Sequence, residues 1–138
     1  MANYGWEYVW HCHILGHEEN DFMRPIKFTF ASTIPAAPTG VTATAVTVSG
    51  VRVVNLAWTD PTPLATATAG AANNEVGFKI QRATNNGFTQ NLTNLNAPAN
   101  STTFTDSTVV AGTRYYYRIS TYNAAGSSAN SVTVSLIP

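Results

Sequence analysis

All three histidines and the single cysteine of the 138-residue chain fall within Trp10-His11-Cys12-His13-Ile14-Leu15-Gly16-His17. Thiolate and imidazole are the ligands that copper, zinc and iron favour, so metal chemistry would reside here. Read as an extended strand from Tyr4 to His13, the stretch alternates faces. His11 and His13 point to one side, and Cys12 points to the other with Trp6, Tyr8 and Trp10. One strand can thereby serve two metal centres. A chain with one cysteine forms no intrachain disulfide, which makes a thiolate ligand the most economical use of Cys12; the alternative is a buried, inert thiol. His13 and His17 would share a face on a helix, but Gly16 and the aromatic alternation upstream favour a strand followed by a loop or single helical turn over Ile14 to Asp21. His17-Glu18 does not complete a zinc-peptidase motif, because Asp21 stands where the second histidine is required.

A further strand is expected over Arg24-Pro25-Ile26-Lys27-Phe28-Thr29-Phe30, with Ile26, Phe28 and Phe30 on one face. The pattern His-Cys-His-x-x-x-His, then the acidic turn Glu18-Glu19-Asn20-Asp21, then an apolar strand, resembles the C-terminal copper motif of the multicopper oxidases, the laccase-like enzymes, and looks most like their bacterial branch. The resemblance covers a small part of the chain. It implies that residues 1–30 are the end of a cupredoxin domain, that His11 and His13 each bind one copper of a type 3 pair, and that Cys12 and His17 bind a type 1 copper. Phe22 stands at the family's axial type 1 position, with Met23 as the alternative if the register shifts. A noncoordinating axial residue would raise the copper potential. The parent protein would be an oxidoreductase that couples substrate oxidation to dioxygen reduction. The chain holds too few histidines for the remaining copper ligands, so it is expected to be inactive by itself.

The formal net charge is zero and 10% of the residues are charged, which argues against the basic footprint of a nucleic-acid binder and against a polybasic membrane patch. No apolar run approaches a membrane span, and Met1 to Gly5 lacks the features of a signal peptide. The low charge and the Ser/Thr/Ala/Asn-rich middle look like an exported parent, periplasmic, secreted or at the cell surface. The length allows one ordinary domain with a short appendage. Residues 1–30 cannot close a core with two strands, so pairing with the rest of the oxidase or with a second copy through residues 4–30 is expected.

Ala31 to Pro38 is small, polar and proline-bearing, as in a linker of limited flexibility. Seven short β-rich segments follow: Val41–Val48, Val51–Trp58, Val76–Arg82, Phe88–Leu92, Ser101–Thr105, Thr113–Tyr122 and Ser131–Ile137. Their spacing predicts an all-β, antiparallel sandwich over residues 39–138. Pro38-Thr39-Gly40-Val41, Leu56-Ala57-Trp58-Thr59, Phe78-Lys79-Ile80-Gln81-Arg82, Gly112-Thr113-Arg114-Tyr115-Tyr116-Tyr117-Arg118-Ile119 and Asn123-Ala124-Ala125-Gly126-Ser127 resemble a fibronectin type III domain in order and over its full length. The resemblance implies that Trp58 is the core tryptophan of the second strand. It also implies that Tyr115, Tyr117 and Ile119 point inward, that the Tyr115 hydroxyl anchors the preceding turn, and that Arg114, Tyr116 and Arg118 face outward. A mobile loop is expected between Thr59 and Glu75. Asn91-Leu92-Thr93 and Asn100-Ser101-Thr102 are formal glycosylation sequons. Beside the oxidase reading stands a noncatalytic one, in which the sandwich is a spacer or binding module of an exported protein.

Overall fold

The computed structural model describes residues 7–11, 14, 23–27, 32–63 and 71–138. The chain divides into two units, Met1–Phe30 and Ala31–Pro138. In the first, β1 (Glu7–His11) and β2 (Met23–Lys27) form an antiparallel ladder that sets Glu7 opposite Lys27 and His11 opposite Met23. Pro25 lies within this ladder, opposite Val9. A two-stranded ribbon consists of edges, which is where a strand tolerates a residue without an amide hydrogen.

The second unit runs through β3 (Thr39–Val48), β4 (Val51–Thr59), β5 (Gly77–Ala83), β6 (Thr93–Pro98), β7 (Thr103–Asp106), β8 (Tyr115–Asn123), β9 (Gly126–Ser127) and β10 (Val134–Leu136). One sheet has the order β3-β4-β7; the other has β10-β8-β5-β6, with β9 paired to β8. Every pairing is antiparallel. The link between β3 and β4 is the two-residue turn Ser49-Gly50, both residues having positive φ (50° and 82°). Such turns match the right-handed twist of the strands they join.

The core follows from period-two alternation. Val54, Leu56 and Trp58 on β4 meet Phe78 and Ile80 on β5 and Tyr115, Tyr117 and Ile119 on β8, all buried. The Trp58 and Phe78 rings pack 5.2 Å apart at 53°, within the tilted geometry that aromatic quadrupoles favour. The inward placement of Trp58, Tyr115, Tyr117 and Ile119 matches the expectation from sequence. Tyr116 and Arg118 are half-buried on the other face, and Arg114 is exposed. The Tyr115 hydroxyl accepts a hydrogen bond from the Val110 amide at 3.1 Å, tying the turn before β8 to the strand.

One expected strand is misplaced. Phe88 to Leu92 is a turn, and the strand of that region is Thr93–Pro98. Phe88 and Asn91 adopt positive φ (54° and 50°), a region that extended strands do not use. The side-chain Oδ1 of Asn85 also accepts hydrogen bonds from the amides of Thr89 and Gln90, both at 3.0 Å, which curls the backbone locally. In β6, Thr93, Leu95 and Ala97 take the more buried positions and Asn94, Asn96 and Pro98 the exposed ones. The last strand starts later than Ser131 because serine hydroxyls replace ladder carbonyls. Ser131 and Ser128 accept from the amides of Ile119 and Thr121 through their Oγ atoms, each at 3.0 Å.

The stretch read as a linker is fastened to β8. Thr121 Oγ1 donates to the Ala36 carbonyl at 2.7 Å, and Asn123 Nδ2 donates to the Thr33 carbonyl at 2.8 Å. Pro35 and Pro38 are buried. Residues 64–70 of the loop between Thr59 and Glu75 lie outside the described residues.

Candidate functional site

Of the proposed copper ligands, His11 is the last residue of β1 and Met23 the first of β2, and the ladder places them opposite one another. Cys12, His13, His17 and Phe22 lie outside the described residues. They belong to the connection between two paired strands, so the register brings the two ends of the motif together at one end of the ribbon. Among the described residues, no three or more His, Cys, Asp or Glu are grouped so as to hold a metal ion.

In the sandwich, the charged chemistry gathers at the end of β7. The Asp106 carboxylate accepts four hydrogen bonds. Its Oδ1 takes the Thr108 amide at 2.9 Å and the Thr108 hydroxyl at 2.7 Å. Its Oδ2 takes Arg82 Nη1 at 2.8 Å and the Tyr117 hydroxyl at 3.0 Å. Arg82 also donates to the hydroxyls of Thr108 and Thr93, and its guanidinium lies 4.9 Å from the centre of the Tyr115 ring. Arg82 and Tyr117 come from one sheet and Asp106 from the other, so the cluster joins the two layers.

The protonation states in this cluster are fixed rather than poised. Burial pushes Asp106 upward, but the hydrogen bonds from Thr108 and the charge and hydrogen bond of Arg82 outweigh it and hold the carboxyl below its ordinary value. Burial, reinforced by the neighbouring Asp106 charge, drives the Tyr117 phenol far above its usual range. A general acid or base works best with a pKa near the operating pH, and these two groups move away from neutrality in opposite directions. The cluster is a structural tie.

A second buried pair sits beyond β4. Asp60 Oδ1 accepts from the Thr62 amide at 2.9 Å, the Thr62 hydroxyl donates to Glu75, and Glu75 Oε1 accepts from the Asn100 amide at 2.9 Å. Burial is the main cause that raises the Asp60 pKa, with Glu75 contributing. Asp60 Oδ2 is buried with no hydrogen-bond partner among the described residues. Sequence reasoning passed over both clusters, although Asp60-Pro61-Thr62 and Asp106-Ser107-Thr108 share the Asp-x-Thr signature of an Asx turn. A shallow depression of about 320 Å³ on the other sheet is lined by Thr42, Thr44, Asn55, Leu56, Ala57, Thr103, Phe104 and Thr105. Its lining holds no titratable group, so it offers no proton donor or base.

Two antiparallel sheets packed around Trp58 and Tyr117, with a tyrosine hydroxyl anchoring the turn before β8, define an immunoglobulin-like sandwich of the fibronectin type III kind. No family model and no curated protein matches the chain. Solved structures do. An Fn3-like protein from Clostridium thermocellum is 30% identical, with a TM-score of 0.53 over 75% of this chain and 93% of that one. A two-domain fibronectin type III segment of chicken tenascin is 15% identical, with a TM-score of 0.57 over 84% of this chain and 55% of that one. The FN1–FN3 domains of chicken CNTN1 are 17% identical, with a TM-score of 0.55 over 75% of this chain and 30% of that one. The last two likenesses show the fold alone. On the first, the chain belongs to the Fn3-like family, and its sandwich unit carries the shared fold.

Proposed function

We propose that the sandwich acts as a noncatalytic module, a spacer or binding unit, of an exported protein. The observation that carries this reading is the Fn3-like sandwich whose buried Asp106 carboxylate and Tyr117 phenol are committed to joining its two sheets. The low charge and Ser/Thr/Ala/Asn-rich composition support export. Among the described residues, no helix is long and apolar enough to cross a membrane. A module of this kind carries its own core. Residues 31–138 produced alone are therefore expected to unfold in one cooperative transition at the same midpoint as in the full chain, followed by circular dichroism in urea. A non-cooperative or strongly shifted transition would sink the module reading.

A second reading is favoured by the sequence of the first unit together with its ladder. In it, the chain is the C-terminal portion of a multicopper oxidase with the module appended. The residues suit copper: one thiolate and three imidazoles, carried on a strand end and the connection that follows it. His11 and His13 would hold the type 3 pair, Cys12 and His17 the type 1 copper, with Phe22 or Met23 in the axial position. Bound copper would supply the one-electron steps between substrate and dioxygen in the intact parent. The partners this reading implies are the rest of the oxidase or a second copy through residues 4–30.

Titration of the full chain with Cu(II) tests this second reading. A retained type 1-like site gives an intense visible thiolate absorption, and Cys12→Ser abolishes it. Colourless binding that is unchanged in the variant leaves the noncatalytic module alone.

A further inference from the structure

The neutral net charge of the chain conceals an uneven division. Residues 31–138 contain five Lys and Arg but three Asp and Glu. All three acids, Asp60, Glu75 and Asp106, are buried. The surface of this unit therefore presents cations with no exposed carboxylate beside them. Asp106 occupies Arg82, which leaves Arg52, Lys79, Arg114 and Arg118.

Two of these cations lie on one sheet face. Along β5 and β8, Phe78, Ile80, Tyr117 and Ile119 enter the core, so alternation turns Lys79, Gln81, Tyr116, Arg118 and Tyr122 outward. The register sets Gln81 between Arg118 and Asn94 on the neighbouring strands. Lys79 is exposed. Arg118 is held in place: its Nε donates to Gln81 Oε1 at 2.8 Å, and its guanidinium stacks 4.0 Å from the centre of the Phe88 ring. The terminal nitrogens of Arg118 make no hydrogen bond among the described residues, so a fork suited to a carboxylate faces outward with little rotational freedom to lose.

The tyrosines flank these cations. A Cβ at Gly77 would come within 2.8 Å of the Tyr122 hydroxyl and 3.1 Å of its ring; the missing side chain lets that ring lie across β5. Tyr116 is opposite another small residue, Ala83. The two rings are six strand positions apart, roughly 20 Å, with amides and cations between them. Aromatic rings on the outer face of a sheet offer stacking surfaces to sugars, amides match hydroxyls, and a fixed guanidinium matches a carboxylate.

We propose that this outer face of the sheet β6-β5-β8-β10 docks an anionic polysaccharide, one whose acid groups are uronate carboxylates. The proposal rests on the binding-module reading and names its ligand class.

Affinity electrophoresis of the full chain through gels containing polygalacturonate tests it, with dextran, poly-glutamate and single-stranded DNA as comparison gels. Polygalacturonate retards the chain, added salt weakens the retardation, and Lys79→Glu with Arg118→Glu reduces apparent affinity at least about tenfold. Arg52→Glu, the same charge change on the other sheet, leaves retardation within twofold of the parent, about the scatter expected of a surface change away from the site. Should the double variant not fold, Lys79→Gln replaces it, since that side chain is exposed, and a clear loss of retardation is again expected. No retardation by polygalacturonate, equal retardation by dextran, poly-glutamate or DNA, or equal loss in Arg52→Glu would each overturn the proposal. A chain that folds cooperatively yet binds none of the four polymers loses this ligand while the spacer reading stands; failure of residues 31–138 to fold alone overturns the module reading itself.

Discussion

Asp106→Ala lowers the unfolding free energy of the sandwich by about 3–5 kcal/mol, the range for removing one partner of a buried charge pair. The Asp106 side chain is 1% exposed and that of Arg82 11%. The truncated variant leaves a guanidinium and a fully buried phenol facing each other without their shared acceptor. Arg82 Nε has no partner among the described residues, and without Asp106 the guanidinium keeps only the neutral hydroxyls of Thr108 and Thr93. Urea unfolding of parent and variant, followed by circular dichroism, measures the difference. A loss below about 1 kcal/mol, typical of an exposed pair, would show that the cluster does not join the layers.

The same variant has a pH signature. Asp106 is held below its unfolded value, so it contributes stability above that unfolded value, about 3.9. This contribution is lost as pH falls through the lowered folded value. Asp60 is raised and acts in the opposite sense: its contribution is present below the unfolded value and lost as pH rises through the raised folded one. In the parent the two oppose each other on the acid side. In Asp106→Ala only the Asp60 contribution remains, so the stability lost between neutral pH and the acid limb is smaller than in the parent. An unchanged acid limb would contradict the assignment.

Phe78→Ala costs about 3–5 kcal/mol, the range for deleting a large buried aromatic. Phe78 has no exposed surface and sits against Trp58 at the centre of the two layers. Its neighbours Leu56, Ile80 and Ile119 are held by ladders on both sides, so the cavity cannot close. Val132, 71% exposed, provides the contrast: its truncation stays within about 0.5 kcal/mol. Denaturant midpoints at constant slope separate the two. A Phe78→Ala cost as small as that at Val132 would place the core elsewhere. Either large loss is a substantial fraction of a domain's typical stability of about 5–15 kcal/mol.

The sandwich was legible in the sequence where alternation is strong. The Tyr115-Tyr117-Ile119 series, Trp58 and the Phe78-Ile80 pair announce a buried face by period two alone. Phe88 misled because an aromatic followed by Thr and Leu mimics a strand. The deciding features were the left-handed backbone at Phe88 and Asn91 and the Asn85 side chain that bends the turn. Arg82 and Asp106 could not be paired from sequence, being 24 positions apart on strands of different sheets, and each reads as an ordinary surface charge until the topology brings them together. The outward tyrosine lying across Gly77 was equally hidden, since the contact depends on the β5–β8 register. The His-Cys-His-x-x-x-His spacing was fully visible, and the structure adds to it the pairing of His11 with Met23.

The residue types of the two units also decide where imidazole and thiol chemistry can be observed. Residues 31–138 contain no histidine and no cysteine. Every imidazole and the thiol of the chain belong to residues 1–30, as His11, His13, His17 and Cys12. Histidine proton resonances followed while Cu(II) is added thus read the proposed copper ligands with no contribution from the sandwich.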